Sequence, residues 1–341
     1  MNCDLRSALT EKIDNLNKPK GSLGRLEELA LQIGLIQGTL SPTLNHPCHL
    51  LLGADHGIER EGVSVSPREV TWQQMVNFTQ GGGGVNMFCR QHGFSLQLVD
   101  VGVDHDLTDH PTIINKKVRM HGSGNILYEP AMTEEETDQC LTIGRQLVDD
   151  CYREGCNIIS IGEMGIGNTS PSSLWMSLLL DIPLQQCVGA GAGLNNEGIL
   201  HKLDILEKCQ TRFLTAHPQW TPLLVLQELG GLEMATAVGA MLRAAELHMV
   251  VLVDGFIMSA CALMASRLSP QFMPCAIFCH VGDEKGHRLM LQGMGVRPLL
   301  SLGLKLGEGT GALCAYPIVE SAVRMLNEMN NFHDAKITKY F

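Results

Sequence analysis

The chain has 341 residues, 45% of them hydrophobic and 18% charged, which is the composition of a folded globular protein, with length for two domains or one large α/β domain plus an accessory piece, and excludes a disordered chain. The formal net charge is −11 and the basic residues are scattered instead of gathered into a stripe, so a nucleic-acid backbone is excluded as the expected partner and a small molecule takes its place. The 12 cysteines contain no C-x-x-C pair, the nearest sets being Cys151 with Cys156 and Cys275 with Cys279, which points to reduced, buried thiols in place of disulfides or a zinc site.

The opening "MNCDLRSALTEKIDNLNKPK" is charged throughout and has no apolar core of a signal peptide. Through about residue 40 the pattern predicts two helices joined by "KPKGSLG", with Leu26, Leu29, Ala30, Ile33 and Ile36 on one buried face. From "PCHLLLGADHG" onward, apolar runs alternate with helical patterns; strands are predicted at 48–53, 96–101, 157–161, 249–253, 274–279 and 298–302. Continuous apolar runs separated by helices predict an α/β fold, a parallel sheet covered on both faces that binds ligands at the carboxyl ends of its strands.

Two helix starts are explicit. "SPRE" predicts Ser66 as N-cap, Pro67 at the first helical position and Glu69 closing a capping box, and "TEEE" predicts the same for Thr133 and Glu136. Further on, "HMVVLVDGFIMSACALMASR" has apolar runs that Asp254 interrupts, too short to span a bilayer. With no membrane segment expected, a cytoplasmic location is the expectation. The last helix is predicted over about 310–329, burying Leu313, Tyr316, Val319, Val323 and Leu326, with Pro317 kinking or restarting it.

The 36 glycines matter for where they fall, which is after the strand-like runs: "GADHG", "GGGG" at 81–84, "GEMGIGN" at 162–168, "VGAGAGLNNEG" at 188–198 and "GEGTG" at 307–311. The second-to-last and the "GEMGIGNTSPSS" segment each read as a glycine loop running into a helix, an arrangement that aims free backbone amides at an anion, and Lys202 adds a positive charge. Gly189, Gly191 and Gly193 fall short of a dinucleotide fingerprint because Asn196 stands at its third glycine, and no P-loop occurs. Neither "DHDLTDHP" at 104–110 nor His280 with Glu284 and His287 has a zinc spacing; loop or satisfied interior histidines are expected.

Acidic candidates at strand ends are Asp55, Asp100, Glu163, Asp254 and Glu308. Asp55 and Asp100 read as turn or cap residues, and Asp254 either as a ribose-binding carboxylate or as a cap of the next helix. Glu163 and Glu308 stand out because glycines adjoin them and apolar residues flank them, so a raised pKa suited to a general base is expected. The glycines beside Glu308 are read as leaving its carboxylate bare.

Taken in order, "KPKGSLGRLE", "ADHGIEREGVS", "VTWQQMVNF", "GEMGIGNTS", "GAGLNNEG", "VDGF" and "LGLKLGEGTGA" resemble the nicotinate-nucleotide:dimethylbenzimidazole phosphoribosyltransferases of cobalamin biosynthesis, over nearly the whole chain. The resemblance implies a Rossmann-like parallel sheet at 41–324 with a small helical domain from residues 1–40 and about 325–341, and a homodimer. It implies transfer of phosphoribosyl from nicotinate mononucleotide to a benzimidazole nitrogen, with no cofactor and no metal. Glu308 would be the catalytic base, assisted by Glu163. Gly165, Gly167, Gly191, Gly193 and Lys202 would hold the phosphate. Met164 and Leu306 would sandwich the flat base, with Ser66, Glu69 and Asn77 on its edge and Asp254 at the ribose. Ser66 stands where members commonly carry an aromatic residue, and Ala192 where threonine is frequent. These two departures keep open a noncatalytic nucleotide-binding or sensor homologue, and the G-x-G-x-G run of Gly189, Gly191 and Gly193 keeps open an NAD-linked oxidoreductase.

Overall fold

The structure, a computed structural model, describes residues 2–339. Its centre is a parallel sheet of β1 (Cys48–Ala54), β2 (Ser95–Gly102), β3 (Ile113–Asn115), β4 (Ile158–Met164), β5 (Val250–Val253) and β6 (Ala276–Phe278). The strand order is β3-β2-β1-β4-β5-β6 with every pairing parallel, the doubly wound Rossmann arrangement. All seven residues of β1 are buried, so both faces of the sheet are covered, as the unbroken apolar runs predict.

The helices before β4 are α1 (Asn2–Asn15), α2 (Arg25–Gln37), α3 (Val70–Thr79), α4 (Gly84–His92) and α5 (Glu134–Arg153). Between β4 and β5 come α6 (Thr169–Leu180), α7 (Leu184–Cys187), α8 (Asn196–Ala216), α9 (Pro222–Leu229) and α10 (Leu232–Glu246). The remainder are α11 (Phe256–Leu268), α12 (His287–Gly293) and α13 (Thr310–Glu328). At the chain ends α1 and α2 pack together, α13 lies on α2, and Leu16 forms an antiparallel bridge with Asn331. Leu29, Ala30, Ile33 and Ile36 of α2 are buried, following the helical spacing of the sequence.

The structure corrects several expectations. Residues 298–302 form no strand: Leu300 makes a single parallel bridge to His280, where Pro298 cannot donate to a ladder. The short edge strand β3 has no counterpart among the predicted strands. Ser66 is not an N-cap, because the helix begins at Val70 after a turn in which the Val70 amide bonds the Pro67 carbonyl. Thr133 does cap α5, its hydroxyl accepting from the Glu136 amide at 3.1 Å while Glu136 accepts from the Thr133 amide at 2.9 Å. Pro317 neither ends nor restarts α13, which runs on to Glu328 with Pro317 on its exposed side. Leu313, Tyr316, Val319, Val323 and Leu326 hold the buried face on either side of it. Among the described residues no helix is long and apolar enough to cross a membrane.

Candidate active site

A cleft of about 370 Å³ lies along the carboxyl ends of β4, β5 and β6, beside the point where the strand order reverses and such sheets bind ligands. Of the residues singled out by sequence, Glu163, Met164, Gly165, Gly167, Gly191, Asp254, Leu306, Glu308 and Ser66 line it. Lys202, Gly193, Glu69 and Asn77 do not. Gly193 borders a neighbouring cavity beyond Gly191 and Ala192, Glu69 is exposed, and Asn77 is set back, donating to the Gln74 side chain at 3.1 Å. Gln74 itself lines the cleft, as do Asn168, Thr169 and His280, none of which the sequence reading selected.

The segment "GEGTG" explains its own spacing. Gly307, Glu308 and Gly309 have φ of 84°, 62° and 78°, three successive left-handed residues, the middle one a glutamate that pays a steric penalty for being there. The expectation that its neighbours leave the carboxylate bare is overturned, since Glu308 is only 7% exposed. The glycines make room for buried side chains. A Cβ at Gly307 would lie 2.7 Å from Glu163 Oε1, one at Gly309 2.1 Å from His49 Cε1, and one at Gly311 2.0 Å from His280 Cδ2. His49 Nε2 bonds the Glu308 carbonyl at 3.1 Å.

The Glu308 carboxylate meets the N-terminus of α4, where Oε2 accepts from the Val85 amide at 3.2 Å. The run "GGGG" allows this, because a Cβ at Gly84 would press against Leu306 and reach 3.4 Å from Glu308 Oε2. Burial raises the Glu308 pKa and the charge of Asp254 adds to that, while the Val85 and Gly84 amides pull against it. The result is a carboxylate more basic than one in water.

Burial pushes Glu163 further, to about 8, with Glu233 and Asp254 acting the same way and the Asn168 side chain and Glu308 backbone opposing. Asn168 Nδ2 donates to its Oε2. With a pKa of about 8, Glu163 is mostly protonated at neutral pH. Asp254 goes the other way: burial opposes its ionisation, but the hydrogen bond and charge of His280 and the Gly255 and Ala312 amides outweigh this and hold its pKa below the ordinary range. Its Oδ1 accepts from the Ala312 amide at 2.9 Å near the start of α13 and sits 3.3 Å from His280 Nε2, so it bonds the start of α13 and does not cap the next helix, α11, which has no side-chain cap. His287 is a satisfied interior histidine, its Nδ1 accepting from the Gly282 amide at 2.8 Å and its Nε2 3.0 Å from Ser259 Oγ. No group of metal-ligating side chains occurs among the described residues.

The two glycine loops meet at Lys202. Although it lies on α8 behind Gly191, its Nζ donates to Thr169 Oγ1 at 2.7 Å at the start of α6, and a Cβ at Gly191 would come within 3.1 Å of that hydroxyl and 3.5 Å of Nζ. Lys202 is 1% exposed; burial lowers its pKa to about 8, with Glu284 working against the shift. A buried ammonium held by a hydroxyl, next to free amides at a helix start, is suited to an anion such as a phosphate. Beneath this corner His56 Nε2 meets Glu233 Oε1 at 2.6 Å, with both groups buried.

A family model described as Phosphoribosyltransferase matches residues 1–337 of this chain. Among curated relatives, the nicotinate-nucleotide--dimethylbenzimidazole phosphoribosyltransferase of Bacteroides fragilis is 59% identical over 340 residues, covering 99% of this chain and 96% of the relative. The protein of the same name from Dechloromonas aromatica is 47% identical, covering 98% and 96%. The crystal structure of CobT from Thermus thermophilus superposes with a TM-score of 0.94 at 36% identity, covering 99% of this chain and all of the other.

Proposed function

This chain belongs to the phosphoribosyltransferase family that the model describes, and from that premise we propose that it moves the phosphoribosyl group of nicotinate mononucleotide onto 5,6-dimethylbenzimidazole or a related flat base. The observation that carries the reading is Glu308, a buried carboxylate of raised pKa in the same cleft as a glycine-loop anion corner built around Thr169.

In this reading the mononucleotide phosphate takes the corner formed by Gly165, Gly167, Gly191, Thr169 and Lys202. The acceptor lies between Met164 and Leu306, with Ser66 and Gln74 at its edge, and Asp254 holds the floor under the ribose. One ring nitrogen of the neutral acceptor attacks C1′ of the ribose while the other still carries hydrogen. The C1′–nicotinate bond breaks, and its electron pair stays on the pyridinium nitrogen, so nicotinate leaves without needing an acid. The proton of the acceptor N–H passes to Glu308, which keeps the product ring neutral. Attack opposite the leaving group inverts C1′ through an oxocarbenium-like state, as in single-displacement glycosidases, and gives an α-riboside 5′-phosphate. Glu163, protonated, packs against Gly307 and supports the loop.

The resemblance supports a cytoplasmic homodimer, and the bridge between Leu16 and Asn331 with the packing of α13 on α2 supports a small helical unit from residues 1–40 and about 325–341. The test is incubation with nicotinate mononucleotide and dimethylbenzimidazole, following nicotinate release and the anomeric configuration of the product. Acceptor-dependent release of nicotinate with an α product is expected. Tight mononucleotide binding without release for any of a panel of azoles would make the protein a noncatalytic binder, and much tighter binding of a dinucleotide would favour the oxidoreductase.

A further inference from the structure

His49 is the polar interruption in the apolar run of β1, "CHLLLGA", and it is fully buried. Two glycines make its place. A Cβ at Gly162 on the adjacent β4 would lie 2.7 Å from Nε2, and one at Gly309 would lie 2.1 Å from Cε1 and 2.8 Å from Nε2. Through this gap Nε2 reaches the carbonyl of Glu308 at 3.1 Å. That carbonyl belongs to a residue at φ 62°, a backbone state that a glutamate keeps only when its surroundings hold it. Because a carbonyl oxygen can only accept, the ring must carry its hydrogen on Nε2. Nδ1 is then the bare nitrogen, and it is buried with no hydrogen-bond partner. A site that tolerates such an orphan has a use for the bond on the other side of the ring.

We propose that His49 is a positioning residue for the reaction: its Nε2–H fixes the Glu308 peptide in the left-handed state, which aims the Glu308 carboxylate at the Val85 amide and the cleft. This rests on the reading of Glu308 as the base. His49 lines no part of the cleft, so it acts only through Glu308. Without the donor the peptide joining Glu308 to Gly309 is free to turn, since Gly309 imposes little backbone restraint of its own, and the carboxylate leaves its amide contact.

The experiment uses the full-length enzyme with H49M, H49Q, E308Q and the double variant H49M/E308Q. Methionine keeps volume but has no donor, whereas the side-chain amide of glutamine places an N–H near the position of Nε2. H49M is expected to lose about tenfold or more in kcat with KM for nicotinate mononucleotide changed by no more than about twofold, the pattern of a lost transition-state contact. H49Q should stay within about threefold of the unmodified enzyme, and the double variant should be no slower than E308Q, because two residues acting as one unit are not additive. Full kcat in H49M, or a further loss in the double variant equal to that of H49M alone, would overturn the proposal. Full turnover in E308Q would instead remove the base reading, so the two failures are told apart. If the histidine variants do not fold, neutron diffraction from the unmodified protein decides: hydrogen on Nε2 is expected, and hydrogen on Nδ1 alone would refute the bond.

Discussion

To take the acceptor proton as proposed, Glu308 has to be ionised and yet basic enough to keep that proton, and its surroundings pull on its pKa in both directions. Burial and the charge of Asp254 raise its pKa, and the amides at the start of α4 pull it back down. Since the base form is needed, kcat should fall as pH drops, with the midpoint of that limb above the ordinary glutamate value near 4.3; a pH profile of kcat under saturating substrates checks this. Lys202 gives a second expectation at this scale. K202M should raise KM for the mononucleotide about tenfold or more, because a charged hydrogen bond to phosphate is lost, and initial rates should show little change in KM for the acceptor. Glu308, Glu163 and Lys202 were legible in the sequence through their glycines, but the reason for the glycines was not. They admit Glu163 and His49 from distant strands and His280 from the segment after β6, and a partner 259 residues away, as His49 is from Glu308, leaves no local trace. A histidine inside an apolar strand was the available signal, because a buried polar residue is the informative one. Asn168 and Thr169, at the junction of glycine loop and helix, were legible by the same logic that selected the loop.

At the scale of elements, Gly307, Gly309 and Gly311 around Glu308 each abut a buried side chain whereas Gly303 does not, so these glycines should differ sharply in tolerance. A Cβ at Gly311 would meet the ring of His280 at 2.0 and 2.3 Å, while at Gly303, φ 68°, it would meet nothing within 4 Å. G311A should therefore cost about 2 kcal/mol or more by overpacking and lower kcat. G303A should cost only about 1 kcal/mol of backbone strain and leave kcat unchanged. Urea midpoints of the two variants with steady-state rates check the contrast; equal costs would mean the ring yields. Elements were legible where they were long and buried. Strands β1, β2, β4, β5 and β6 announce themselves as apolar runs, β6 in spite of its three residues because all are buried and apolar, whereas β3 buries only the first of its three and ends on a polar, exposed Asn115. The run at 298–302 looks like a strand in composition, but Pro298 and the exposed Gly303 leave it only one bridge.

Across the whole molecule, the parallel sheet gathers Glu163, Asp254 and Glu308 at one end, and that concentration of carboxyls has a consequence for stability. Glu163, with a folded pKa of about 8 against 4.5 ordinarily, binds more protons folded than unfolded between those values. Its contribution to stability is full below the lower value and lost as pH rises to the upper one. E163Q, which does not titrate, should gain in melting temperature relative to the unmodified protein between about pH 5 and pH 8, and a constant gap would show that Glu163 is ionised at neutral pH. The parallel sheet and the end of it that holds the cleft followed from alternating apolar runs and helices, while the Rossmann-like arrangement came from the family resemblance. The proposed chemistry as a whole turns on Glu308 receiving the acceptor proton. The most direct test is E308Q, with nicotinate release and mononucleotide affinity measured on the same preparation. Release should slow by about 100-fold or more, the range of general-base catalysis, with affinity unchanged; undiminished release would contradict the role of Glu308 as the base.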